Sequence, residues 1–247
     1  MARIALISDI HGNQVAFEAV LADLEAQQPD QIICLGDVIA SGASPRAVLD
    51  MLRGLGLPTV MGNTDLRLLN ENGPTEAATD DRLRRIHDIF RWGAAQLTPD
   101  DRAYLRTFQP TIRVPLGDGA AMLCFHGSPR SNIENITAST PDEELDAMFE
   151  GHQALVYVGG HTHIQLYRPY RDGIILNAGS VGLPIEIYLH GRISQPLRAD
   201  YAIVTWSDGR LGIELRRVPY RAEALRRAVL ESDMPHMEWY LHHWAMA

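Results

Sequence analysis

Five apolar runs in this chain each break off at a polar residue set beside glycine. They read "RIALISDIHG", "QIICLGD", "LPTVMGN", "AMLCFHG" and "ALVYVGGHTH". Short, near-continuous apolar runs are the pattern of strands buried on both faces. Glycine beside the break lets the backbone turn sharply, so the polar side chain stands just past the strand. Open α/β sheets place their sites there, beyond the carboxyl ends of strands. The feature therefore constrains fold and site together. The polar ends are Asp9 and His11, Asp37, Asn63, His126, and His161 with His163.

The rhythm between these ends predicts the rest of the fold. Arg3–Asp9, Gln31–Asp37 and Leu57–Gly62 read as strands. Gly12–Gln27 lies between the first two, with Phe17, Val20, Leu21 and Leu24 as the stripe of a helix. Pro45–Gly54 reads as a second helix, with proline in its first turn. Strand and helix alternating is the pattern of parallel pairing. Thr64 to about Phe108 reads as helical, with an apolar face of Leu83, Ile86, Phe90 and Leu97 and a cap at Thr98. From Thr111 onward short strands dominate, punctuated by Asp118-Gly119, Asp172-Gly173 and Asp208-Gly209. Asp-Gly between apolar runs is a hairpin signal, so the second half reads as largely antiparallel. Further helices are expected at Pro141–Glu150, Arg221–Glu231 and Met237–Trp244. With no internal repeat and no linker, 1–247 reads as a single domain carrying a helical insertion at about 64–108.

Asp9 and His11 are two residues apart, as are His161 and His163. In extended chain, residues i and i+2 share a face, so each pair is expected to act as a pincer, with Ile10 or Thr162 turned away. Oxygen and nitrogen donors without thiolate suit divalent Mn, Fe, Co or Zn. Taken singly, Asp9 or Asp37 reads as a turn or cap carboxylate and Asn63 as a turn residue. Their recurrence at five strand ends is what points to a metal centre.

Composition narrows the function classes. The chain has 247 residues, 46% hydrophobic and 21% charged, which is enough for a sizeable core. A net charge of −9 does not suit a broad nucleic-acid-binding surface. All 22 basic residues are Arg, which removes any Schiff-base or P-loop lysine. Cys34 and Cys124 both lie in apolar runs and read as buried thiols of a reducing compartment. No run approaches the ~18 apolar residues of a membrane span, and "MARIALISD" lacks a signal peptide's apolar segment, so a cytoplasmic location is expected.

The blocks "DIH", "GD", "GNTD", "FHG" and "GHTH" stand in this order between Asp9 and His163. They resemble the blocks of calcineurin-like metallophosphoesterases, and "SDIHGN" and "NAGSVGLP" are most similar to the small bacterial phosphodiesterase-like branch. The resemblance implies an α/β fold, a four-layer αββα sandwich of two packed mixed sheets flanked by helices. It also implies two divalent transition-metal ions, manganese first, with Fe, Zn, Ni or Co as alternatives. One would be held by Asp9, His11, Asp37 and His163, and the other by Asp37, Asn63, His126 and His161. Asp37 would bridge, and Asp37, Asn63 and His126 would be the catalytic members of the set. The implied activity is hydrolysis of phosphodiesters, with phosphomonoesters as a second class, by a hydroxide bridging the two ions.

Two divalent ions outweigh two carboxylates and a hydroxide, so the site would attract an anion within an acidic protein. The expected partner is a small phosphorylated or nucleotide-like substrate, with no membrane partner; oligomeric state is open. Arg130, in "GSPR", is a candidate phosphate contact, and Thr64 is a second candidate substrate contact. In many relatives of the family a histidine stands at the position of Thr64 and is proposed to protonate the leaving oxygen. A hydroxyl is far too weak an acid for that near neutral pH. Asp65 thus loses its usual partner and is expected to act as a helix cap. Two other readings of the same shell are a non-catalytic interaction scaffold and a nucleotide sensor without useful turnover.

Overall fold

A computed structural model describes residues 1–69 and 78–242. In chain order the elements are β1 (Ala2–Ile7), α1 (Gln14–Gln27), β2 (Gln31–Cys34), α2 (Pro45–Leu55), α3 (Asn63–Leu68), α4 (Asp81–Ala95) and α5 (Pro99–Leu105). There follow β3 (Ile112–Gly117), β4 (Ala120–Cys124), α6 (Asp142–Met148), β5 (Val156–Gly159), β6 (Leu166–Tyr170) and β7 (Gly173–Asn177). The chain continues through β8 (Glu186–Ile187), β9 (Ile193–Ser194), β10 (Arg198–Ser207), β11 (Arg210–Pro219), α7 (Ala222–Leu230) and α8 (Met237–Tyr240).

Two mixed sheets result, in the orders β11-β10-β1-β2 and β3-β4-β5-β7-β6. Side chains alternate across each strand, and that alternation builds the layers. Ile4 and Leu6 of β1 face inward and meet Val156, Val158, Ile174 and Leu176 of the second sheet in one cluster. Ala5 and Ile7 face outward into a cluster with Phe17, Val20 and Leu24 of α1 and Val48, Leu49 and Leu52 of α2. The outer face of the second sheet buries Leu123, Tyr157 and Ile175 against Leu145, Met148 and Phe149. The expected helix–sheet–sheet–helix sandwich is therefore present, held by three apolar layers. Burial of this kind is worth roughly 25 cal/mol per Å² of apolar surface.

Pro45 and Thr98 act as expected, while the first helix begins after Asn13 and the second runs one residue past Gly54. Asn13 caps α1 by accepting from Ala16 N at 3.1 Å. Pro45 opens α2, and Gly56 closes it in the left-handed region at φ 61°. Thr98 and Asp101 form a reciprocal capping box on α5.

Three sequence expectations are corrected. Leu57–Gly62 makes no ladder and contributes only the bridges Cys34↔Thr59 and Val60↔Gln109. Pro58 has no N–H to donate, and β2 ends at Cys34, so there is little strand left to pair with. The second half is also less antiparallel than its turns suggest, because β4, β5 and β7 run parallel. The hairpins exist, but β3, β6 and β11 lie on sheet edges. Third, the apolar stripe of α4 is rotated, so that His87 is buried while Leu83 and Ile86 are half-exposed. Among the described residues no helix is long and apolar enough to cross a membrane. Of the expected helix Met237–Trp244, α8 covers Met237–Tyr240, and His243 and Trp244 lie outside the described residues.

Candidate metal centre

The seven strand-end residues converge at one end of the sandwich. Asp9, His11 and Asp37 follow β1 and β2, Asn63 opens α3, and His126, His161 and His163 follow β4 and β5. Donor atoms of Asp9, His11 and His163 lie within 4.8 Å of one another, as do those of Asp37, His126 and His161. Asp37 Oδ2 stands between the groups, 3.7 Å from His11 Nε2 and 3.5 Å from His126 Nε2. Asn63 Oδ1 is 3.0 Å from His126 Nε2.

The route to this convergence differs from the expected pincer of extended chain. Asp9, His11, Asp37, His161 and His163 all have left-handed backbone, with φ between 50° and 68°. This conformation is uncommon for residues with a Cβ and collects at functional sites. The strands stop at Ile7 and Gly159, and the pairs are aimed by tight bends beyond them. Close approach needs glycine at two of these bends. A Cβ on Gly62 would lie 2.1 Å from Asp37 Oδ1, and one on Gly160 would lie 1.9 Å from Ser8 Oγ.

Backbone carbonyls set the imidazoles. His11 Nδ1 is 3.0 Å from Ala40 O, His126 Nδ1 is 2.8 Å from Leu35 O, and His163 Nδ1 is 2.7 Å from Leu183 O. A carbonyl only accepts, so each Nδ1 carries a proton, and each ring turns Nε2 inward, where it offers a lone pair once a metal displaces any proton there. The carboxylates are set as firmly. Ser8 Oγ and His161 N donate to Asp9 Oδ2 at 2.6 and 3.0 Å, and Thr64 N donates to Asp37 Oδ1 at 2.8 Å.

What remains is a buried Asp9 Oδ1 with no hydrogen-bond partner. It lies 3.2 Å from His163 Nε2 and 3.7 Å from His11 Nε2, and those two nitrogens are 3.1 Å apart. A bare carboxylate oxygen and two imidazole lone pairs turned on one point fit a cation. In the second group the attraction between opposite charges is the link. Burial works against a proton on His126, yet the Asp37 carboxylate outweighs it and pushes the ring up to about 10. Burial likewise opposes ionisation of Asp37, but His126 and His11 hold it below the usual carboxylate range. His11, buried and beside His163, is pushed down to about 4. The residues thus fit divalent metal ions in kind, number and orientation.

The remaining predicted contacts fall differently. Arg130 spends its guanidinium on Glu134, at 2.7 to 3.1 Å, and on Ala147 O at 3.0 Å. Thr64 Oγ1 is buried without a hydrogen-bond partner. Several supporting roles were not read from the sequence. Ser8 fixes Asp9, and Ser180 Oγ donates to Asp9 O at 2.8 Å. Asp65 caps α3 as expected, but it also accepts from the Asp37 and Val38 amides. For Ser8 the available signal was a polar residue beside Asp9 in an otherwise apolar run. Asn13 and Asn177 act as loop fixers, through Gly182 O at 3.1 Å and Gly179 N at 2.9 Å.

A two-sheet αββα sandwich with paired carboxylate–imidazole clusters beyond its strand ends defines the metallophosphoesterase class of fold. Residues 2–208 match the calcineurin-like phosphoesterase superfamily domain, and the chain belongs to that superfamily. It is similar to a metallophosphoesterase from Sphaerobacter thermophilus, at 27% identity over 95% of both chains and a TM-score of 0.71. It shares its fold with a hypothetical protein of Pyrococcus horikoshii OT3, at 17% identity over 99% of both chains and a TM-score of 0.79. An uncharacterized protein of Methanocaldococcus jannaschii is 27% identical over 96% of this chain and 94% of its own. The chain is thereby placed among metal-dependent phosphoester hydrolases.

Proposed function

We propose that this protein hydrolyses phosphodiesters in preference to monoesters, with two divalent transition-metal ions, manganese first. Asp9, His11, Asp37 and His163 would hold one ion, and Asp37, Asn63, His126 and His161 the other. The observation that carries the reading is Asp37 Oδ2, placed between the two clusters at 3.7 and 3.5 Å from their imidazoles. When bound, such a pair of ions makes hydroxide available near neutral pH and offsets charge on a phosphoryl oxygen.

The chain's own residues supply orientation. Three backbone carbonyls hold three rings with Nε2 inward. Ser8 and the Thr64 amide each occupy one oxygen of a carboxylate and leave the other free. The Thr64 hydroxyl is buried with its donor unspent, so it would meet a substrate oxygen only by turning outward. Arg130 would serve a phosphate only by giving up Glu134. No histidine follows Asn63, so substrates with good leaving groups are favoured. We assign the whole chain to one such domain and a reducing, cytoplasmic setting to its two buried thiols.

The test is metal analysis of the purified protein, then hydrolysis of bis-p-nitrophenyl phosphate and p-nitrophenyl phosphate with Mn²⁺ added. Faster turnover of the diester is expected, and it should vanish in the Asp37→Asn/Asn63→Ala double variant. Full turnover by that variant would sink the assignment. Metal without turnover would instead mark a sensor, and no metal a scaffold. The Thr64→His variant should flatten the dependence of rate on leaving-group pKa. An unchanged slope would remove Thr64 from the argument.

A further inference from the structure

The segment after Gly62 holds Asp37 from two sides. Thr64 N donates to Asp37 Oδ1 at 2.8 Å. Asp65, the next residue, is fully buried and accepts three backbone N–H groups. Its Oδ2 takes Asp37 N at 2.7 Å and Gly62 N at 3.2 Å, and its Oδ1 takes Val38 N at 2.9 Å. A helix cap needs only the bond to Gly62 N. The other two bonds reach across 28 and 27 residues of chain to the loop beyond β2.

That loop is where a clasp is needed. Asp37 sits at φ 54°, a left-handed conformation that costs an Asp residue energy unless its surroundings impose it. The two amides that Asp65 holds bracket the Asp37 Cα. With N–H and Oδ1 both fixed, only Oδ2 remains, and it points between His11 and His126. Asp101 provides the contrast. It too is a fully buried capping-box carboxylate in the first turn of its helix, but its partners are Thr98, Arg46 and Arg53.

We propose that Asp65 is a positioning residue for the metal centre, presetting Asp37 so that Oδ2 alone faces both clusters. The inference rests on the metal-centre reading above and adds a residue that makes no contact with metal or substrate. An amide in place of the carboxylate offers one acceptor oxygen, so Asp65→Asn must drop at least one of the three donors.

The test is Mn²⁺ titration of metal-stripped wild type, Asp65→Asn and Asp101→Asn, each with its thermal midpoint. Asp65→Asn is expected to weaken Mn²⁺ binding about 10–100-fold, the usual cost of removing an outer partner of a ligand. Asp101→Asn should lower the midpoint and leave Mn²⁺ binding as in wild type. Equal, unimpaired binding by both variants would reduce Asp65 to a cap and overturn the proposal. Wild type that takes up no Mn²⁺ would overturn the metal-centre reading itself, a distinct result. Amide hydrogen exchange on metal-stripped wild type serves where Asp65→Asn fails to fold. The Asp37 and Val38 amides should be protected before any metal is added. Rapid exchange there, slowed only by Mn²⁺, would show that metal rather than Asp65 sets the loop.

Discussion

At the scale of single residues, backbone proximity decides what can be changed. Gly62 and Gly54 make a matched pair. A Cβ at Gly62 would fall 2.2 Å from Asp37 N, against backbone that cannot swing aside, whereas a Cβ at Gly54 meets nothing within 4 Å. Gly62→Ala should therefore lower stability by about 1–3 kcal/mol, as overpacking does, and displace Asp37. Gly54 lies within α2, and Gly54→Ala should raise stability by about 0.5–1 kcal/mol through helix propensity alone. Urea denaturation of both variants, with Mn²⁺ titration of each, checks the pair. A Gly62→Ala protein of wild-type stability and Mn²⁺ affinity would contradict the packing argument. The candidate ligand residues stand out in the sequence because each ended an apolar run. Their left-handed bends do not, since nothing in "DIH" or "HTH" distinguishes a bend from an extended pincer.

At the scale of elements, a half-buried ionic clasp ties α1 to the first sheet. Asp23 accepts from Tyr201 Oη at 2.5 Å and from Arg216 at 2.9 and 3.0 Å. The bonds from Arg216, and secondarily from Tyr201, hold its carboxyl below the usual carboxylate range. A carboxylate lowered in the folded state adds stability that is full above its unfolded pKa, about 3.9, and fades as pH falls through the lower folded value. Asp23→Asn should thus cost about 1–2 kcal/mol at pH 7, allowing for partial exposure, and the gap should hold to about pH 4. Below that it should close, as urea midpoints of the two proteins at pH 7, 5, 4 and 3 would show. A gap undiminished at pH 3 would mean the carboxylate charge contributes nothing. This clasp was not legible in the sequence, because Asp23 and Arg216 are 193 residues apart. Some helix starts were legible, since signals such as Thr98 and Pro45 are written locally. The two-residue strands β8 and β9 were not, being too short to show any period.

At the scale of the whole molecule, strand rhythm revealed the layers but not which strand joins which sheet. β10 pairs with β1 in the register Ala2↔Trp206, a contact between opposite ends of the chain that no local pattern encodes. The candidate centre spans those same layers. Asp9, His11 and Asp37 extend from the first sheet, and His126, His161 and His163 from the second. Ions bound there would join the two sheets at the edge where their strands end. Without them, a bare Asp9 oxygen and the crowded imidazoles of His11 and His163 face one another, and against the effect of burial Asp9 draws a proton toward His163. The folded state should bind Mn²⁺ and the unfolded chain far less, so metal should raise stability by mass action, by about 2.7 kcal/mol at a hundred times Kd. For a chain of this length that corresponds to a rise in Tm of about 5–10 °C. Stripping with chelator should lower Tm by this amount, and refilling with Mn²⁺ should restore it, climbing with the logarithm of free metal above Kd. Mg²⁺ should restore less, because it prefers oxygen donors and the set here is rich in imidazole. A Tm indifferent to chelation and refilling would mean that the clusters hold no ion strongly enough to couple to the fold.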